Sequence, residues 1–134
     1  MVGARVRDII DGLGSRVRIG VERNAFGGLV TLERADRRGR PRVVLDAYGA
    51  EILSAYIMSA RLSGDRELAE EVVTGAYPVR VQLDHQPAPS LRLTDAAEER
   101  FEIPAPLWDR LYAELNIAVA HAREFDRRGA IRLH

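Results

Sequence analysis

Val17-Arg18-Ile19-Gly20-Val21-Glu22 and Val79-Arg80-Val81-Gln82-Leu83-Asp84 read as one strand written twice, 62 residues apart. Leu29-Val30-Thr31-Leu32-Glu33 returns at the same spacing as Leu91-Arg92-Leu93-Thr94-Asp95. Val44-Leu45-Asp46 matches Glu102-Ile103-Pro104 at a spacing of 58, so one loop of the second copy is expected to be about four residues shorter. Each copy reads as alternating strands followed by an amphipathic helix. A period near 60 residues is too long for a solenoid unit and too short for an independent domain. The expected fold is therefore α+β: two tandem antiparallel strand–strand–strand–helix repeats, spanning about 4–62 and 66–127, in one pseudo-symmetric domain over 1–134, with 129–134 as a tail.

Alternation sets the faces. In Arg16–Arg23, Val17, Ile19 and Val21 share one side while Arg16, Arg18 and Glu22 share the other. Asn24-Ala25-Phe26-Gly27-Gly28 supplies turn residues, and Leu29–Arg34 and Arg42–Leu45 follow as strands. Asp46 is placed to cap a helix carrying Ile52, Leu53, Tyr56, Ile57 and Ala60, ended by Ser63-Gly64-Asp65. The second copy has strands at Val79–Asp84, Leu91–Thr94 and Arg100–Ile103. Pro104-Ala105-Pro106 then opens a helix striped by Trp108, Leu111, Tyr112, Leu115, Val119 and Ala122, with Gly129 as its expected stop. Two segments stay open. Val2–Leu13 has apolar residues at helical spacing yet allows a strand over Arg5–Ile10, and Arg66–Thr74 fits a helix by spacing but a strand by its β-branched Val72-Val73-Thr74.

Composition bounds the function. The chain has 134 residues, is 46% hydrophobic and has no cysteine, which excludes a disulfide framework. No apolar run nears the roughly 20 residues of a membrane span, and no secretory signal pattern opens the chain, so a cytoplasmic protein is expected. All 20 basic residues are arginine, balanced by 20 acidic ones. Zero net charge argues against strong unspecific polyanion binding, which draws on counterion release by a basic surface. The histidines His85, His121 and His134 have no metal-ligand spacing, Asp84-His85 lacks a nearby nucleophile, and Gly12-Leu13-Gly14 lacks a phosphate-loop context. No metal, cofactor or enzymatic activity is expected.

The stretch Val21 to Glu33, with its Arg23-Asn24 turn and Gly27-Gly28 leading into an apolar strand that ends in Glu, is similar to the strand–turn–strand of the PUR repeat. Val44-Leu45-Asp46 and Phe101-Glu102-Ile103-Pro104, each running into a helix, resemble the last strand of successive repeats. Whirly-type single-strand-binding proteins are a more distant likeness. The resemblance implies four strands per repeat, with Ala4–Ile10 and Glu67–Val73 as opening strands, and two repeats clasped into one domain. It further implies non-enzymatic binding of single-stranded DNA or RNA on the sheet faces opposite the helices. Arg16, Arg18, Asn24, Arg80, Gln82 and Arg92 would contact the strand there, and Phe26 and Tyr77 lie at strand ends where a base can stack. Two features depart from the family: Leu29 stands where an aromatic is usual, and Pro87 and Pro89 replace Asn and Gly in the second turn. Those departures, with the neutral charge, favour the alternative of a protein–protein interaction module on the same fold.

Two further surfaces follow from the residues alone. Arg37, Arg38, Arg40 and Arg42 form the densest basic run, suited either to gripping phosphates or to a solvated hairpin tip. Trp108 and Tyr112, four apart, fit core packing or a partner hot spot. Tyr48, Met58 and Phe125 lie off the helical stripes, and uncovered sheet edges need partners, so a homodimer is expected.

Overall fold

The computed structural model describes residues 3–25 and 27–132. Its elements run β1 (Gly3–Ile10), β2 (Arg16–Asn24), β3 (Gly27–Arg34), β4 (Arg42–Asp46), α1 (Ala47–Ser63), β5 (Glu71–Val73), β6 (Val79–Asp84), β7 (Ser90–Asp95), β8 (Arg100–Pro104), a 3₁₀ turn (Ala105–Leu107) and α2 (Trp108–Arg132). The strands form two antiparallel sheets in sequential order, β1-β2-β3-β4 and β5-β6-β7-β8. The fold is α+β, with four strands and a helix in each repeat. Both open segments are strands. Residues 66–70 have no regular structure, and the strand occupies Glu71–Val73, where β-branching favours extended backbone.

The second helix crosses to the first sheet. α2 lies across β1, β2 and β3, while α1 bridges, touching β3 and β4 of its own sheet as well as β5 and β6 of the other, and packs along α2. Neither repeat could bury its own sheet alone, which is the physical content of one shared core. Val17, Ile19, Val30, Leu32 and Leu45 from the first sheet and Val79, Val81, Leu91, Leu93 and Ile103 from the second enter it, with Leu53, Ile57, Leu111 and Leu115 from the helices between them. Leu53, Ile57 and Ala60 correspond to Leu111, Leu115 and Ala118 at the spacing of 58, and all six are buried. Ser54 Oγ donates to Asn116 Oδ1 at 3.1 Å where the helices cross.

The register corrects the repeat alignment. Ile19 pairs with Leu32 in the first sheet, and its counterpart Val81 pairs with Leu93 in the second. The third strands therefore correspond at a spacing of 61, with Val30 matched by Leu91 and Leu32 by Leu93. One residue is lost between β6 and β7 and three between β7 and β8, rather than four from a single loop. A one-residue slip sends every side chain to the opposite face, and the spacing of 62 would have put Leu91 and Leu93, both fully buried, on the solvent side.

Capping follows expectation at α1, where Asp46 accepts from the Gly49 N–H at 2.7 Å. At α2 it does not. The helix passes Gly129 and continues to Arg132, correcting the expected stop and tail. A glycine inside a helix costs only about 1 kcal/mol, so it ends a helix only where the chain has another conformation to gain. Trp108 is a core residue, and its indole N–H donates to the Ile103 carbonyl at 2.8 Å. Phe125 packs against the core with the Arg23 guanidinium 5.9 Å from its ring centre, while Tyr48 and Met58 are exposed on α1.

Candidate functional site

Alternation and the helix layer leave one face of each sheet open. On the first sheet that face presents Val6, Asp8 and Ile10 from β1, Arg16, Arg18, Gly20 and Glu22 from β2, Leu29, Thr31 and Glu33 from β3, and Arg42 and Val44 from β4. Arg18 holds Asp8 with two bonds of 2.8 and 3.2 Å. That bond lowers the Asp8 carboxyl below its usual range and raises the Arg18 guanidinium. Arg40 pairs with Glu33 at 2.6 Å.

Arg42 reaches diagonally across β3 to Glu22 at 3.0 Å. The span is open because Gly20 has no side chain: a Cβ there would stand 2.7 Å from Thr31 Oγ1. Thr31, on the solvent side, is consequently only 8% exposed. The result is a shallow recess of about 230 Å³ with a Gly20–Thr31 floor, rimmed by Val6, Arg18, Glu22, Glu33 and Arg42.

The second sheet repeats the theme more weakly. Arg80 lies 4.0 Å from Glu70 and 3.9 Å from Glu98. Arg92 donates to Gln82 Oε1 at 3.1 Å and lies 3.7 Å from Asp84. Thr94, between its cross-strand neighbours Arg80 and Arg100, is covered.

Sequence-expected residues thus divide by place. Arg16 and Arg18 share one face, Arg80, Gln82 and Arg92 share the other, and no single surface gathers all of them. Asn24 ends β2 opposite Gly27 at the hairpin tip. Phe26 lies outside the described residues, and Tyr77 is half-buried in the loop before β6. Among the described residues, neither open face carries an aromatic side chain.

One residue was missed. Arg34 is 2% exposed at the end of β3, in phase with Val30 and Leu32 on the core side. Its Nε and Nη2 donate to the two Asp36 carboxylate oxygens at 3.0 and 2.9 Å, and its Nη1 donates to the Glu102 carbonyl at 2.7 Å. It therefore ties the first repeat to β8 of the second. The Arg34 bond, and then backbone N–H donors at Arg16 and Asp36, hold the Asp36 carboxyl well below the ordinary carboxylate range. A depressed folded pKa contributes stability that is fully present above the unfolded value of 3.8 and lost as pH falls toward the folded one. Urea unfolding should therefore show a loss of stability below about pH 4 that is smaller in Asp36→Asn than in the wild type, because the variant has no proton to take up there. An identical acid slope in both would contradict this assignment.

Among the described residues, no three His, Asp or Glu side chains gather to hold a metal ion, and no helix is long and apolar enough to cross a membrane. Compared with known proteins, the chain matches no family model and no curated protein.

Proposed function

We propose that the protein is a non-enzymatic module that binds single-stranded nucleic acid across the open face of its first sheet, as the PUR-like repeat implies. The observation that carries this reading is the recess over Gly20. It lies on an open antiparallel face, with arginines of two strands at its rim and a bridging ion pair whose members, Arg42 and Glu22, are 47% and 44% exposed. Exposed pairs of this kind contribute about 0–1 kcal/mol, so a phosphate can take the place of the carboxylate at little cost. With no aromatic platform among the described residues of the face, affinity rests on phosphates rather than base stacking, and sequence preference is weak.

The measurement is fluorescence anisotropy with a purine-rich single-stranded oligonucleotide. Three phosphate contacts, to Arg16, Arg18 and Arg42, give a salt slope of about −2 on logarithmic axes, or roughly a 20-fold loss between about 50 and 200 mM salt. Arg18→Ala/Arg42→Ala should lower both the affinity and the slope. Absence of binding at low salt at protein concentrations on the order of 10 µM, or binding untouched by the double substitution, would retire the reading.

The second reading, a protein-interaction module, is favoured by a different observation. Arg18, Arg40, Arg42, Arg80 and Arg92 all have carboxylate neighbours, and the β1 side of the same face exposes Val6, Ile10 and, in the following turn, Leu13. A partner held there would remain bound at moderate salt, because apolar contact is not screened.

A further inference from the structure

The β3–β4 loop of the first repeat and β8 of the second face each other across a cleft of about 460 Å³, lined by Arg34, Arg37, Arg38, Pro41, Arg100 and Glu102. Four of these six residues are arginine, in a chain whose net charge is zero. Their partners are unevenly shared. Asp36 is engaged at both oxygens by Arg34 and stands 3.8 Å from Arg37. Arg34 uses its remaining nitrogen on the Glu102 backbone. Among the described residues, Arg38 and Arg100 have no carboxylate within ion-pair distance, whereas Arg18, Arg42, Arg80 and Arg92 each have one.

We propose that this inter-repeat cleft is a phosphate-binding site, in which Arg37, Arg38 and Arg100 hold the anion and Arg34 fixes the walls. Guanidinium groups arriving from two chain segments suit an acceptor with several oxygens, and the planar fork matches phosphate in a bidentate manner. The volume falls within the roughly 300–1,000 Å³ of ordinary ligand sites and admits a phosphate with an attached sugar.

The cleft adjoins the end of the recessed face where β2 begins: Arg34 pairs with Val17, and the Ala35 N–H donates to the Arg16 carbonyl at 3.0 Å. A strand crossing the first sheet toward this end would meet the cleft next. That the phosphate belongs to a nucleic-acid strand rests on the function proposed above; a free phosphate or nucleotide has the same recognising chemistry.

The test uses two probes on the full chain: calorimetry with inorganic pyrophosphate, and anisotropy with the labelled oligonucleotide. The cleft variant is Arg37→Ala/Arg38→Ala/Arg100→Ala, and Arg18→Ala/Arg42→Ala is the face control. Pyrophosphate affinity should fall at least about tenfold in the cleft variant and stay unchanged in the control; with the three cleft contacts added to the three on the face, the wild-type oligonucleotide salt slope should steepen to about −4 and return to about −2 in the cleft variant. Should the triple variant unfold early in urea, Arg38→Glu alone is used, and it should abolish pyrophosphate binding.

Pyrophosphate that does not bind the wild type, or binds it and the cleft variants equally, overturns the proposal even if the oligonucleotide binds. Cleft-dependent pyrophosphate binding with no oligonucleotide binding supports the site, assigns it to a free phosphate or nucleotide, and retires the nucleic-acid reading instead.

Discussion

Arg34→Met is expected to lower the unfolding free energy by about 3 kcal/mol, because it removes the hydrogen bonds of a buried charged group, each contributing about 1.5–3 kcal/mol. The guanidinium is almost fully enclosed, and all three of its bonds are lost together: two to Asp36 and one to the Glu102 carbonyl. Methionine keeps most of the packed stem, so the loss reports the polar contacts rather than a cavity. Arg34→Lys should rescue little, since one ammonium cannot serve a carboxylate fork and a carbonyl on the neighbouring repeat in the same geometry. Adding Asp36→Ala to Arg34→Met should cost less than the two single losses combined, as contacting residues are non-additive. Urea unfolding of the wild type, the three single variants and the double variant measures this. A loss below about 1 kcal/mol for Arg34→Met, the range of an ordinary exposed pair, would show that this residue does not hold the repeats together.

Gly28→Ala should be as damaging, at about 3 kcal/mol or more, the upper end for overpacking. The added Cβ would stand 2.6 Å from both the Cα and the carbonyl oxygen of Ala122 and 2.9 Å from its carbonyl carbon. These are backbone atoms of α2, so no rotamer change relieves the contact and the helix must lift from the first sheet. The same residue's N–H donates to Asp126 at 2.9 Å, a bond that the displaced helix would also lose. Ala122→Gly in the Gly28→Ala background should not restore stability, because the atoms in conflict are not the alanine methyl. Recovery by that second substitution, or a shift in the urea midpoint too small to measure, would contradict this account of how α2 is seated.

Alternation and the cap that starts α1 were readable from the chain because they are local. Val17, Ile19 and Val21 alternate with charged or small residues, and a strand's period of two needs no partner to be recognised. Asp46 before an apolar stripe announces α1, whereas Arg66–Thr74 left helix and strand open and its strand is set by pairing with β6. The solvent-facing arginines 16, 18, 80 and 92 were assigned to the correct sides for the same reason. Leu91-Arg92-Leu93 even contradicts the spacing of 62 that seemed to align it, since its two leucines match Val30 and Leu32 rather than Leu29 and Thr31.

Pairing across the molecule was not readable in this way. Arg34 sits in phase with Val30 and Leu32, a visible signal that a charge enters the core, yet its acceptor at Glu102 lies 68 positions away. Nothing in the local pattern could say that α2 lies on the first sheet and α1 reaches the second, because an apolar stripe fits any apolar face of suitable length. Likewise the arginine run 37–42 names a basic loop, but only the clasp of the two repeats sets Arg37 and Arg38 opposite Arg100. Local periodicity settled the faces of the elements it identified, as side-chain direction repeats along each element, and left the opening segment and Arg66–Thr74 undecided. The tertiary structure decided which faces meet, since burial rewards contact without regard to distance along the chain.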